Sequence, residues 1–235
     1  PLPRPVAFGE QLSMVNRDAF TVADRAHNVE PHTEDMPENV ELVSVTVTPR
    51  ACPCSVWSSS TVPPSPLDSG DTSSVELGMK FQSDTAGYIS GVRYYKTSTN
   101  TGTHTGHLWT AGGTSLGSVT FSGGTSSGWQ QANFSSPIAI AANTTYVVSY
   151  HAPAGHYTAT DSAFLNPLDN APLHVPSSSA SGGNGLYKYG STAAFPNSTY
   201  YASNYWVDVV FITALPDTTP PTVTAATAQK SAHVT

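Results

Sequence analysis

Apolar side chains take every second position of VELGMKF, where Val75, Leu77, Met79 and Phe81 alternate with Glu76, Gly78 and Lys80. That is the period of a strand with one buried and one solvated face. The segment Gln82-Ser83-Asp84-Thr85-Ala86-Gly87 reads as a turn, because an Asp side chain bonds nearby backbone and Gly accepts positive φ. A strand rich in β-branched and aromatic residues restarts over 88–96, and after the polar run 97–105 the pattern resumes at Leu108-Trp109. These segments read as three consecutive strands of one sheet. Further strands are predicted over 115–121, 129–134 and 145–152, the last with Tyr146, Val148 and Tyr150 on one face and Val147, Ser149 and His151 on the other. A final strand over 205–211 places Tyr205, Val207, Val209 and Phe211 inward and Trp206, Asp208 and Val210 outward. Short strands separated by Gly- and Pro-rich turns predict an all-β fold, an antiparallel β-sandwich of jelly-roll-like type. Between residues 153 and 203 the regularity fails over a stretch too long for an ordinary connection, which predicts one long irregular loop region with a functional use.

The same reading divides the chain into three parts. Residues 1–50 carry weak alternation around Phe20-Thr21-Val22, an acidic loop and the strand-like VELVSVTV, and are expected to be a partial β element resembling an immunoglobulin-like remnant. Residues 51–214 form the sandwich. Residues 215–235 open on a Pro/Thr-rich linker, stiffened by prolines that fix φ, and lead into the start of a further repeat. Composition sharpens the picture in one respect. Only 11% of residues are charged, while turn formers, Tyr and Trp are abundant, a profile that points to a secreted or cell-surface chain. With a net charge of −7 and no basic cluster, it lacks the electrostatic footprint needed to bind a phosphate backbone, so nucleic acid is not an expected partner. No apolar run is long enough to predict a membrane span.

A set of phrases running in order through residues 52–211 resembles a bacterial extracellular family, domain of unknown function 4082. The phrases are CPCSVW, VELGMKF, GVRYYK, NTGTHTGHLW, GWQQANF, TTYVVSYHAPAGHY, GGNGLYKYG and FPNSTYYASNYWVDVVF. The resemblance implies a module of multidomain surface or secreted proteins, set beside immunoglobulin-like repeats and glycan-related domains. It carries over no catalytic residues.

Four groups of residues then offer chemistry. His104 and His107 lie three apart, so on a strand they face opposite ways. His151 and His156 flank a Pro-Ala-Gly turn that would fold both imidazoles to one side. If the strand ending at His151 pairs with the one beginning at His104, then His104, His151 and His156 meet as a candidate Zn or Cu site; the plainer reading is loop-pinning histidines. Glu76, Asp84 and Asp208 would supply oxygen ligands for a structural Ca if the first and last strands are neighbours, the alternative being solvated charges. Trp109, Trp206, Tyr187 and Tyr189, with Asn184 and Asn204 as amide partners, are the candidate ligand-binding residues, because exposed rings bind the flat faces of sugars. Cys52-Pro53-Cys54 predicts a structural disulfide, with two soft-metal thiolates as the alternative.

The resulting expectation is a non-catalytic extracellular binding module whose partner is a polysaccharide or other surface polymer. Its rivals are a metal-binding domain, up to an unrecorded metalloenzyme, and a structural spacer between neighbouring immunoglobulin-like domains.

Overall fold

The computed structural model describes residues 52–216, so the elements expected over 1–50 and beyond residue 216 lie outside the described residues. Every regular element described is a strand. In chain order they are β1 (Val75–Ser83), β2 (Gly87–Lys96), β3 (Thr105–Thr110), β4 (Ser115–Thr120), β5 (Gly128–Ile140), β6 (Tyr146–Ala152), β7 (Leu168–Asn170), β8 (Leu173–Val175), β9 (Leu186–Tyr189), β10 (Ser198–Thr199) and β11 (Val207–Ile212). They form two antiparallel sheets packed as an all-β sandwich. One sheet runs β10-β9-β1-β6-β3-β4, with β8 paired to the end of β1 and β7 to β8; the other runs β11-β2-β5.

The first three long strands are therefore not neighbours in one sheet, as the alternation alone suggested. Both edges of β1 are occupied, by β6 on one side and by β9 and β8 on the other. After the turn at 84–86 the chain crosses to the opposite sheet, where β2 lies between β11 and β5. Alternation reports which face of a strand is apolar, and it is blind to which sheet the strand joins. Between the sheets, Val75, Leu77, Met79 and Phe81 of β1 and Tyr146, Val148 and Tyr150 of β6 meet Ile89, Val92 and Tyr94 of β2 and Val207, Val209 and Phe211 of β11. Burying an aliphatic or Phe side chain of this kind contributes roughly 1.5–3 kcal/mol. Tyr94 and Tyr150 stack across the core with centroids 4.4 Å apart.

The outer faces of β1, β6 and β11 are not wet, whereas β4 and β5 keep exposed positions. Glu76 is 1% exposed. Trp109, Val147 and Leu186 form a second apolar cluster with Phe195 against them, and Pro196 lies on Gly78, so the late stretch, which is not one irregular loop but carries β7 to β10, folds back over the larger sheet. On the smaller sheet Trp206, Asp208 and Val210, expected outward, are buried as well. Cys54 exchanges two backbone hydrogen bonds with Phe211, and Trp57 packs on Trp206 and Trp129 at 5.5 and 6.3 Å. A strand can look amphipathic in sequence and still be covered on both sides when distant chain returns to it.

β8 is fixed by His174, whose Nε2 lies 2.7 Å from Asp84 and Nδ1 2.8 Å from Asp169. Partial burial lowers the imidazole pKa, but the bonds to Asp84 and Asp169 outweigh it and hold the ring above the ordinary histidine value. Because the folded value lies above the unfolded one, the stabilisation is complete below the unfolded pKa of about 6.5 and is lost as pH rises through the folded value. Urea midpoints at pH 5.5 and 8.5 are expected to separate wild type from His174→Gln by about 1 kcal/mol at the acid end and by less at the alkaline end. An equal gap at both pH values would refute the ion-pair assignment.

Candidate functional site

Three segments of irregular chain converge beside β9. They are residues 64–71, 157–161 and 200–205, and each is tied down by backbone. Ser69 N–H donates to the Tyr157 carbonyl at 2.9 Å, Thr160 and Asn204 exchange two bonds at 2.9 Å, and His156 N–H donates to the Asp71 carbonyl at 2.6 Å. Gly155, at φ +67°, is required at that last point, since a Cβ there would collide with the Asp71 carbonyl. Pairing of β9 with β1 puts Tyr187 opposite Leu77 and Tyr189 opposite Val75, so both rings stand on one face while Lys188 stands on the other.

The result is a cleft in two parts. The wider part, about 450 Å³, is lined by Pro64, Pro66, Asp68, Asp161 and Ser203 together with tyrosines. The narrower part, about 190 Å³, is lined by Tyr157, Tyr187, Tyr189, Tyr200 and Tyr205 and by nothing else. Tyr157, Tyr200 and Tyr205 line both, so the two compartments adjoin. Tyr189 and Tyr200 are 52% and 54% exposed, and the neighbouring Tyr201 is 66% exposed.

Carboxylates flank these rings. Asp71 Oδ2 accepts from the hydroxyls of Tyr189 at 2.6 Å and Tyr157 at 3.2 Å. Burial works against ionisation of Asp71, but the bonds from Tyr189 and Ser73 prevail and hold the carboxyl below its ordinary value. Asp68 behaves alike: burial raises it, while bonds from Thr99, Gly70 and His156 bring it down. Hydrogen bonding to Asp71 raises the Tyr189 phenol, and desolvation raises Tyr157 and Tyr205, so all three remain neutral donors at physiological pH. Ser203 Oγ donates to Asp161 at 2.7 Å. No Lys, Arg or His lines either compartment.

Of the six residues expected to bind ligand, the structure brings two to this cleft, Tyr187 and Tyr189. The other four are structural. Trp109 is buried with its Nε1 donating to Ser149 at 2.8 Å, and Trp206 is buried with its Nε1 donating to Thr160 at 2.9 Å. Asn184 bonds Lys80 N and O, Pro176 O and Gly185 N, and Asn204 accepts from Trp206 N at 2.8 Å. Strand periodicity assigns Tyr205 to the core and does not single out Tyr157, Tyr200, Asp68, Asp71 or Asp161. The available signals were the phrase HY at 156–157 and the acids of PLDSGD.

The candidate metal trio does not assemble. β3 does pair with β6, but the residue opposite His151 is Thr105, so adjacent His104 points to the other face. His104 lies in the core on Tyr94 and donates to Asn100 Oδ1 at 2.6 Å; burial pushes it down to about 4, which keeps it neutral. His151 faces Glu76 at 3.3 Å, and His156 faces Asp68 at 3.1 Å. Among the described residues no group of three His, Cys, Asp or Glu is arranged to hold a metal ion. The calcium set is likewise dispersed, because β1 and β11 belong to different sheets. Glu76 is engaged by His107 and Ser149, Asp84 by His174, and Asp208 by Arg93. Cys52 and Cys54 are joined as a disulfide.

The family model described as Domain of unknown function (DUF4082) matches residues 60–207, a span that contains the whole cleft. No curated protein matches the chain.

Proposed function

The chain belongs to the DUF4082 family, and from that premise we propose that the described sandwich is a non-catalytic binding module for a glycan or comparable surface polymer. We place it in a secreted or surface-attached bacterial protein of several domains, beside immunoglobulin-like neighbours. The observation that carries the reading is the tyrosine-lined cleft. A groove of about 450 Å³ falls within the size range of small-ligand sites, and it offers ring surface together with fixed acceptors for hydroxyl groups. Asp68 and Asp161 supply those acceptors, and Tyr200 stands at the boundary of both compartments. A scaffold of paired strands beneath such loops keeps the rings in place before a ligand arrives, which reduces the ordering cost of binding.

Retention on insoluble polysaccharides and affinity electrophoresis in soluble ones test this. At least one polysaccharide is expected to retard the full chain, and Tyr200→Ala is expected to weaken that retardation about tenfold, the equivalent of one lost ring contact. Silence across neutral, acidic and amino-sugar polymers would overturn the reading and leave a spacer.

A further inference from the structure

The narrower compartment has features that sugar stacking does not use. Platforms for a flat sugar face present one broad ring surface. Here the rings are turned against one another: Tyr187 with Tyr189 at 70°, Tyr157 with Tyr205 at 79°, and Tyr200 with its neighbour Tyr201 at 68°. Rings set nearly perpendicular wall off a compact volume on several sides. That volume, about 190 Å³, is smaller than the roughly 300 Å³ at which sites for whole small molecules begin, so it suits a single head group.

The electrostatics select among head groups. Aromatic faces carry negative charge density, and cations are drawn to them. Behind two of the rings Asp71 accepts both phenol hydroxyls, which adds a full negative charge and orients those dipoles toward itself. In the adjoining wider compartment stand Asp161 and Asp68, the latter facing His156 at 3.1 Å. The nearest lysine in sequence, Lys188, sits on the opposite face of β9. A cage of aromatic rings with an ionised carboxylate behind it, and no cation among its lining residues, is the arrangement that binds ammonium groups.

We propose that the Tyr157, Tyr187, Tyr189, Tyr200 and Tyr205 cage binds a cationic ammonium head group, carried by the polymer whose chain lies in the adjoining cleft. The inference deepens the glycan reading and rests on it for the polymer, while the cage itself is testable alone. The ammonium has two sources, the protonated amine of an amino sugar or a quaternary ammonium substituent.

Tyrosine fluorescence of the full chain is titrated with tetramethylammonium, choline, the neutral carbon isostere of choline, glucosamine and N-acetylglucosamine. Either choline with tetramethylammonium, or glucosamine, is expected to bind at least about tenfold more tightly than its uncharged counterpart, and which pair shows the gap identifies the source. Asp71→Asn, which preserves shape, is expected to narrow that gap. Tyr200→Ala is expected to lower cation affinity by about tenfold and Tyr200→Trp to restore it, because Trp is the better cation–π partner. The residue is half exposed, so both variants are expected to fold; an unchanged melting profile checks this. Equal binding of cation and isostere, or binding of neither, overturns the cage. If neutral polysaccharides are still retained in that case, the glycan reading survives; if ammonium binds while no polymer does, the cage stands and the glycan reading falls.

Discussion

Asp208→Ala is expected to cost the folded state about 3–5 kcal/mol, because it takes the carboxylate from buried Arg93 and the acceptor from three buried backbone N–H groups at once. Asp208 is fully buried on β11. Its carboxylate accepts from the backbone N–H groups of Val56 at 2.9 Å, Trp57 at 3.1 Å and Val209 at 2.8 Å, and Arg93 Nε lies 3.3 Å away. Arg93 in turn donates to the Trp57 carbonyl at 2.9 Å and lies 4.1 Å from the centre of the Trp129 ring. One side chain thus latches the segment around Trp57 onto the outer face of the smaller sheet, and without it the backbone that seats Trp57 on Trp129 and Trp206 loses its acceptor. Urea denaturation followed by tryptophan fluorescence reads the loss directly; a change below about 1 kcal/mol would show that the latch is held by the rings alone. Burial pushes the carboxyl up to about 6, with Arg93 and the three N–H groups pulling against it. The folded value exceeds the unfolded one, so protonation stabilises the fold fully below about pH 4 and the contribution disappears as pH rises through 6. Asp208→Asn is expected to remove that slope.

Glu76→Ala in the other sheet is expected to cost about 2–5 kcal/mol, because it removes the buried acceptor of His107 and Ser149 and leaves those groups unsatisfied. The carboxylate accepts from His107 Nδ1 at 2.9 Å and from Ser149, and faces His151 Nδ1 at 3.3 Å; Ser149 also receives the Trp109 indole N–H. Replacement leaves two imidazoles and a hydroxyl in contact with a void beneath the late loop. The pH signature has the opposite sign to that of Asp208. Burial alone would raise Glu76, but the bonds from His107 and His151 outweigh it and the pKa is lowered. Its stabilisation is therefore present above the unfolded value of about 4.3 and is lost as pH falls through the folded one. Thermal melts between pH 3 and 6 are expected to show wild type approaching Glu76→Gln as acid is added. A constant separation across that range would mean the carboxylate is not the charged partner.

Strand existence was legible because a period of two needs only the local order of residues, and β1 follows it from Val75 to Phe81, while the bulge between Ile89 and Gly91 of β2 and the complete burial of β6 break it. Sheet membership was not, since nothing in the residues of β2 distinguishes a neighbour of β1 from a strand across the core. The assumption of a wet outer face failed at Glu76 and Asp208 for a related reason. Each is polar and each is buried, which is possible because its partners, His107 and His151 for one and Arg93 for the other, come from different strands. The cleft was half legible. Tyr187 and Tyr189 announce themselves within a polar stretch, whereas Tyr157 and Tyr205 join them only through loop closure. Trp109 and Trp206 misled because large rings serve cores and surfaces equally well.

The paired bonds between Cys54 and Phe211 have a mechanical consequence. They are antiparallel, so the incoming and outgoing chain leave this joint in the same direction. Tension transmitted through the polypeptide would open the joint as a zip opens, one bond after another, instead of loading all of them in shear. The seam next to the Asp208 latch would take that load directly, and the tyrosine cage is tied to it through Tyr205, whose neighbour Trp206 packs on Trp57.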